Sequence, residues 1–260
     1  MTLGQALLLG VVQGLTEFFP VSSSGHLVLA EALLGVNPPG LGFEVLVHLA
    51  TLTAVLVVYR GRLFALARGT LRGEADSIRY IGMLALASVP AAIVGLTLAE
   101  VVARTFDLPV LAAVMLLVTG CVVYAIRWLV VRAGRPDPGC PGAVAIGVMQ
   151  AVALLPGISR SGVTVAAALG ARTRPDRAAE FSFLLSVPAI LGASALQLPE
   201  LARSELEAGP LPLMVAAGAA FLAGLLAISL FVRWLRGGRF HLFAYYCWAV
   251  GGGYLLHALL

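Results

Sequence analysis

Long apolar runs alternate with short polar connections along almost the whole chain. Six runs are continuous and long enough to cross a bilayer as helices, at about 43–60, 80–103, 109–131, 181–199, 213–232 and 241–258. Each must be helical because an isolated strand would leave its backbone polar groups unpaired in lipid. The strict apolar and polar alternation of a membrane barrel does not occur. The pattern therefore predicts an all-α polytopic membrane protein with six transmembrane helices.

Two further apolar stretches, 3–35 and 143–171, are interrupted in the middle by proline, serine and glycine. The interruptions read FFPVSSSGH at 18–26 and LPGISRSGV at 155–163, and each remaining half is too short to span. We expect two re-entrant helical hairpins, in which half-helices enter from one side and meet at irregular backbone buried by protein.

Arginines in the short connections predict the orientation, because such loops remain in the cytoplasm. They concentrate at 60–79, 127–135 and 233–239 and after the second broken stretch, whereas the loop at 200–207 is mainly acidic. A hairpin at 143–171 places both of its basic flanks on one side, and the remaining spans then alternate without conflict. Both termini and the first hairpin are predicted to face outward.

The two broken stretches are related to each other. A shift of 137 positions pairs Gly10 with Gly147, Gln13 with Gln150, Ser22 with Ser159, Ser24 with Ser161 and Gly25 with Gly162. Two oppositely directed hairpins, each followed by three spans, make an inverted repeat. A single membrane domain, 1–260, is therefore predicted to consist of repeats at 1–132 and 133–260.

The amino-acid composition also indicates a membrane protein. The chain is 60% apolar and 12% charged, with a mean hydropathy of +0.98, which excludes a soluble domain. All 17 basic residues are arginine, and the net charge is +4. This excess most simply reflects genomic composition, so no nucleic-acid partner is expected.

Ionisable residues within the broken stretches are candidates for function, because they are costly in the membrane unless paired. They are Glu17 and His26 in the first interruption and Arg160 in the second. Hydroxyl groups accompany them at Ser22, Ser23, Ser24, Ser159 and Ser161. If the two interruptions meet near the midplane, all these groups converge in one pocket.

Such a pocket suits phosphoryl transfer. Arg160 offers a permanently charged, bidentate partner for phosphate oxygens. Half-helices beginning after Gly25 and Gly162 would direct amides and positive helix ends at the same anion.

The remaining groups suggest a reaction. Ser23 could attack phosphorus, with His26 one helical turn later as its general base and Glu17 orienting the imidazole. Gln13 lies four residues before Glu17 on one helix face, so oxygens from both could approach a divalent cation.

Structural roles are the alternatives for the same residues. Serines before a helix are often N-caps, which is the alternative for Ser22 and Ser24. His26 could instead be a satisfied helix-end histidine, and Glu17 with Arg160 could be only a structural ion pair.

Several other residues of the spans are expected to be structural. His48 is predicted to be packed and hydrogen-bonded, and Glu44 and Glu180 to favour the N-termini of their helices. Glycines at 251–253 would permit close helix contact within the chain or between subunits. A homodimer therefore stays open as an alternative.

The stretches QGLTEFFPVSSSGH at 13–26 and PGISRSGVT at 156–164 closely resemble the two signatures of the undecaprenyl-diphosphate phosphatases, membrane enzymes associated with bacitracin resistance. FEVLVHLATLTAVL at 43–56 and FSFLLSVPAILGA at 181–193 resemble further stretches of that family. The resemblance implies hydrolysis of a polyprenyl diphosphate to the monophosphate carrier of cell-wall synthesis. It also implies a bacterial inner-membrane location and a divalent cation, Mg or Ca.

Carried over residue by residue, the resemblance places the acidic motif on Gln13 and Glu17. It places the substrate and catalytic segments on Ser22, Ser23, Ser24, Gly25 and His26 and on Ser159, Arg160, Ser161 and Gly162, with Thr164 nearby. The family has glutamate or glutamine at the position of Gln13, and glutamine there leaves Glu17 as the main acidic ligand or base. Ser23 is the predicted nucleophile, and direct attack by His26 is the alternative.

A different class of function is a polyprenyl-phosphate flippase or anion transporter, because inverted repeats with broken helices are a common transporter plan. Such a transporter would use Arg160 but would have no need of a serine and histidine pair. The lipid tail of the implied substrate requires an opening between spans to the membrane lipids, and the active site is predicted to face the periplasm or exterior.

Overall fold

A computed structural model describes residues 1–34, 40–132, 134–196 and 209–260. These residues are helical, as predicted, and contain one isolated bridge, between Arg135 and Thr173, but no strand. The acidic loop predicted at 200–207 lies outside the described residues.

The helices lie close to the predicted runs. They are α1 (Leu3–Phe18), α2 (Ser23–Leu34), α3 (Gly40–Val58), α4 (Arg60–Leu71), α5 (Ala75–Thr97), α6 (Ala99–Phe106), α7 (Pro109–Leu129), α8 (Cys140–Val152), α9 (Arg160–Gly170), α10 (Pro175–Leu196), α11 (Pro210–Arg236) and α12 (Leu242–Leu259). A short 3₁₀ turn, Val130–Arg132, follows α7.

Four described helices are long and apolar enough to cross a membrane, namely α5, α7, α10 and α11. A fifth span is present if α3 and α4, bent by 72°, count as one. These helices coincide with five of the six predicted spans, and α12 occupies the sixth. The chain is a multi-pass membrane protein.

The arginine-rich connection after the first span is helical rather than a loop. α4 begins at Arg60, directly after Tyr59, and its axis turns away from α3. The arginines of α4 cannot continue into the hydrocarbon core without a large cost, so the chain turns aside where they begin.

Both broken stretches are interrupted as predicted, but their second helices begin earlier than expected. Gly25 and Gly162 lie in the first turns of α2 and α9 instead of before them. The reason is capping, since the Oγ of Ser22 accepts from the Gly25 amide at 3.3 Å and that of Ser159 from the Gly162 amide at 3.1 Å. The N-cap alternative therefore holds for Ser22, whereas Ser24 lies inside α2.

Each leading half-helix packs along a span of the other half of the chain. α1 lies along α11, with Gly10 against the backbone of Ala216, and α8 lies along α5, with Gly147 against the backbone of Ala87. Glycine permits this contact because a β-carbon would overlap the neighbouring helix.

The two ends of the second broken stretch lie side by side. The Arg135 amide donates to the Arg172 carbonyl at 2.8 Å, and the Arg174 amide donates to the Arg135 carbonyl at 2.9 Å. The residues before α8 and after α9 are therefore joined on one side of the molecule.

The capping roles predicted for Glu44 and Glu180 are wrong, because both lie within their helices. α10 begins at Pro175, and Glu180 accepts hydrogen bonds from Arg62 at 2.9 Å and from Arg177 at 2.8 Å. The pair with Arg62 joins α4 to α10, whereas the pair with Arg177 lies within α10.

Gly251 belongs to the interior of the chain. A β-carbon there would lie 2.7 Å from the Ala113 carbonyl oxygen of α7, whereas Gly252 and Gly253 have open space around them. Gly251 therefore permits close helix packing within the chain. The homodimer stays a prediction.

Candidate active site

The two helix breaks contact each other directly. The Ser22 Oγ accepts from the Gly157 amide at 3.1 Å, and the Ser161 hydroxyl donates to the Phe19 carbonyl at 3.1 Å. A β-carbon on Gly25 would lie 2.7 Å from the Gly157 Cα. The predicted meeting of the two breaks is therefore present.

The backbone at this contact is held in an uncommon conformation. Ser22 has φ +66° and Gly157 has φ +94°, in the left-handed region that non-glycine residues seldom adopt. Thr119 of α7 fixes the second break, because its hydroxyl donates to the Gly157 carbonyl at 2.7 Å and accepts from the Ser159 amide at 3.0 Å. Such conformations persist only where the surrounding structure enforces them.

Glu17 is the centre of the polar cluster and is 7% exposed. Its Oε1 accepts from Arg160 at 2.5 Å, and its Oε2 accepts from the Ser23 hydroxyl at 2.6 Å. Gln13 Nε2 donates to the same Oε2 at 3.2 Å, and His48 Nε2 lies 3.4 Å from it. Ser23 and Arg160, predicted to converge with Glu17, each contact its carboxylate directly.

His26 is turned away from these groups. Its Nδ1 lies 2.8 Å from the Ser22 carbonyl, which can only accept, so Nδ1 carries the proton. In the neutral ring, Nε2 then accepts from the Tyr246 hydroxyl at 2.9 Å, and the two rings stack 5.5 Å apart. No hydrogen bond among the described residues joins His26 to Ser23 or Glu17, so the predicted orientation of His26 by Glu17 is wrong.

His48 is hydrogen-bonded, as predicted, but it also faces the Glu17 carboxylate, which was not predicted. Its Nδ1 donates to the Glu44 carbonyl at 2.7 Å, which leaves the lone pair of a neutral Nε2 directed at Glu17. Two lone pairs repel, so the contact is favourable when a proton lies between them. The rule that an ionisable residue within an apolar span is a functional candidate would have identified His48. No sequence feature singled out Tyr246.

The sequence profile of the bacitracin resistance protein BacA family matches residues 6–253. The chain belongs to this family. Similar proteins occur in Desulforapulum autotrophicum (40% identity, 96% of both chains), Desulfosudis oleivorans (40%, 95% of this chain and 96% of the relative) and Rhodopirellula baltica (38%, 95% of both). Each of the three is named undecaprenyl-diphosphatase.

The other hydroxyls predicted for substrate binding in this BacA family member are engaged within the protein. Thr164 is fully buried, donates to the Arg160 carbonyl at 2.7 Å and lies 2.6 Å from the Ser182 hydroxyl. The Ser159 and Ser161 hydroxyls lie 3.2 Å apart. These contacts fix the second break, and a role of these hydroxyls as substrate ligands stays a prediction. Ser24, half-buried beside Ser22, is the most accessible of the predicted set.

The side chains around Glu17 do not suit the binding of a divalent cation. Both oxygens of Glu17 already accept from N–H or O–H donors, and Arg160 neutralises the carboxylate. Gln13 turns its amide nitrogen toward Glu17, as a carboxylate acceptor requires, and its buried Oε1 has no partner. The described residues also contain no group of three His, Cys, Asp or Glu placed to hold a metal.

Proposed function

We propose that the protein hydrolyses undecaprenyl diphosphate to undecaprenyl phosphate and inorganic phosphate, returning the lipid carrier to cell-wall synthesis. One observation carries this proposal: the buried Ser23 hydroxyl donates to Glu17 at 2.6 Å, while the other oxygen of the same carboxylate holds Arg160. The shared name of the relatives, undecaprenyl-diphosphatase, supports the substrate.

Ser23 is the proposed nucleophile and Glu17 its general base. The hydroxyl proton already points at the carboxylate, so attack of Oγ on the terminal phosphorus transfers that proton to Glu17. The bond between the terminal phosphorus and the bridging oxygen breaks, and undecaprenyl phosphate leaves with the electron pair. Glu17 then gives that proton to the departing undecaprenyl phosphate, which restores its carboxylate. It takes a proton from the water that attacks the phosphoserine and returns it to the Ser23 oxygen as phosphate is released.

Arg160 is proposed to stabilise the transferring phosphoryl group. Its guanidinium is fixed by Glu17 at 2.5 Å and by the Ser182 carbonyl at 3.3 Å. A guanidinium has five N–H donors, so donors remain for phosphate oxygens. Charge that is already positioned costs no reorganisation in the transition state.

His26 is proposed as a positioning residue for the first turn of α2. Its ring and its own amide both donate to the Ser22 carbonyl, at 2.8 and 3.2 Å. Ser22 has positive φ and directly precedes Ser23. Loss of His26 would therefore release the turn that directs the nucleophile at Glu17.

Six membrane spans and two re-entrant hairpins in an inverted repeat remain the proposed arrangement. Residues related by the 137-position shift make equivalent contacts, which supports it. Gly10 and Gly147 each pack on the backbone of a span from the other half, and Ser22 and Ser159 each cap the amide three residues later. The paired flanks of the second stretch support a hairpin over a single crossing.

We place the protein in the bacterial inner membrane with both termini and the active site toward the periplasm. The arginine-rich ends of the spans support this, because such segments remain in the cytoplasm. Activity restricted to substrate on the cytoplasmic leaflet of sealed, oriented vesicles would reverse the orientation.

Phosphate release from undecaprenyl diphosphate by the purified protein in detergent tests the function. Wild type is expected to release phosphate, and Ser23→Ala to reduce release to background. Ser229→Ala, the same change on the exposed surface of α11, is the matched control and should behave as wild type. A wild type without activity, with Mg or Ca supplied, would refute hydrolysis and favour the flippase or transporter alternative.

A further inference from the structure

A second polar site lies outside the catalytic cluster, at the end of α5 and α8 where the arginines gather. The residues that line a cleft of about 400 Å³ there include Arg79, Arg135, Asp137, Gly139 and Cys140. This volume is in the range of small-molecule sites. None of the lining residues takes part in the proposed reaction.

The cleft has an excess of available positive charge. Arg177 holds Asp137 at 2.8 Å, which neutralises the carboxylate among the lining residues. Arg79 lies 3.6 Å from Asp76, but both side chains are exposed, so the pair is weak. The described residues offer Arg135 no carboxylate within ion-pair distance.

The backbone around Arg135 is fixed by its hydrogen bonds to the segment after α9, at 2.8 and 2.9 Å. Gly139 provides no side chain to cap α8, and Pro141 has no amide N–H. Cys140, which lines the cleft, therefore has the first-turn amide of α8 that is open to an anion there. Two guanidinium groups and a helix N-terminus therefore face one cavity.

An apolar strip leads away from the cleft along α8. Val144, Val148 and Val152 follow Cys140 at intervals of four residues, so they share one helix face. They are 43%, 48% and 41% exposed. A strip of this kind, beginning at a charged cleft, matches a molecule with an anionic head and a hydrocarbon tail.

We propose that this cleft binds the head group of an anionic phospholipid, with its phosphate between Arg79 and Arg135 and one acyl chain along the exposed valines of α8. Charge complementarity selects an anionic over a zwitterionic head group, and the valine strip selects a lipid over a free anion. The site is separate from hydrolysis and would hold a structural membrane lipid.

The purified full chain in neutral detergent is titrated with phosphatidylglycerol and with phosphatidylcholine of the same acyl chains, and bound lipid is measured by native mass spectrometry. Wild type should prefer phosphatidylglycerol by about ten-fold or more. Arg79→Gln/Arg135→Gln should lose that preference. Arg68→Gln/Arg72→Gln removes two exposed arginines at the C-terminal end of α4 that do not line the cleft, and should retain the preference to within about two-fold.

Equal binding of both lipids by wild type would overturn the proposal. An equal loss of the phosphatidylglycerol preference in the Arg68→Gln/Arg72→Gln control would also overturn it, because the preference would then come from diffuse electrostatic attraction of the lipid to the protein surface. Displacement of phosphatidylglycerol by inorganic phosphate at the same concentration would reduce the site to a free-anion site. Stronger competition by undecaprenyl phosphate would assign the cleft to the product. The single variant Arg79→Gln, at an exposed side chain, keeps the test valid if Arg135→Gln disturbs the fold.

Discussion

Replacement of Glu17 by glutamine removes one negative charge with little change of shape. Both carboxylate oxygens accept hydrogen bonds, from Arg160 on one side and from Ser23 and Gln13 on the other. Glutamine has a single accepting oxygen, so its amide group must face a donor. Arg160, whose side chain is 15% exposed, would also lose its counter-ion.

The expected costs fall on both stability and activity. Removing one partner of a buried ion pair lowers the free energy of unfolding by about 3–5 kcal/mol. Loss of a general base lowers the rate about 10²- to 10⁴-fold. At about 1.4 kcal/mol per ten-fold, this rate loss corresponds to about 3–5 kcal/mol of transition-state free energy. We therefore expect Glu17→Gln to be inactive and to unfold on the order of 10 °C lower.

The assay compares phosphate release and thermal unfolding of wild type with those of four variants, Glu17→Gln, Arg160→Gln, Glu17→Gln/Arg160→Gln and Glu100→Gln. Glu100→Gln, at an exposed glutamate of α6, controls for the chemical change and should match wild type. Glu17→Gln/Arg160→Gln removes both charges and should recover part of the lost stability without recovering activity. A folded Glu17→Gln protein that retains activity within about three-fold of wild type would refute the general-base role. Simple additivity of the two stability losses would refute the coupling of the pair.

Three further substitutions test the surroundings of the site. Tyr246→Phe keeps the ring stack but removes the donor to His26, so kcat should fall by about ten-fold at unchanged unfolding temperature; an unchanged kcat would show that this bond has no role. His48→Gln can still donate an amide N–H to the active carboxylate and should retain more phosphate release than His48→Leu, whereas equal activities would return His48 to simple packing. Gly157→Ala places a β-carbon at φ +94° against the α7 backbone and should lower both unfolding temperature and activity, while Gly61→Ala, with open space around it, should do neither.

The sequence was sufficient to predict helices and their interruptions, because both depend on local composition. Apolar runs must be helical in lipid, and the serines before α2 and α9 mark helix starts through their capping hydroxyls. The convergence of Glu17 and Arg160 also followed, since two isolated charges in apolar surroundings require partners. Hydropathy was less informative in the arginine-rich connection 60–79, where the chain forms the helix α4 and not a loop.

The pairing of side chains within the site could not be predicted from spacing. Ser23 and His26 are three residues apart, but each finds a partner elsewhere: Ser23 bonds Glu17, and His26 bonds the Ser22 carbonyl and Tyr246. The positive φ of Ser22 sets the direction of these side chains, and no pattern in the sequence predicts it. Tyr246 is 220 positions away from His26, so only the folded chain brings them together.

The contact between Glu17 and Arg160 joins residues 143 positions apart, one in each half of the chain. During synthesis, Ser23 and Glu17, the proposed nucleophile and base, emerge and insert long before Arg160. A nascent or truncated first half therefore has the proposed nucleophile but lacks the arginine proposed to hold phosphate. Catalytic competence is acquired only when the second half has inserted and docked, so that turnover itself reports complete assembly in the membrane.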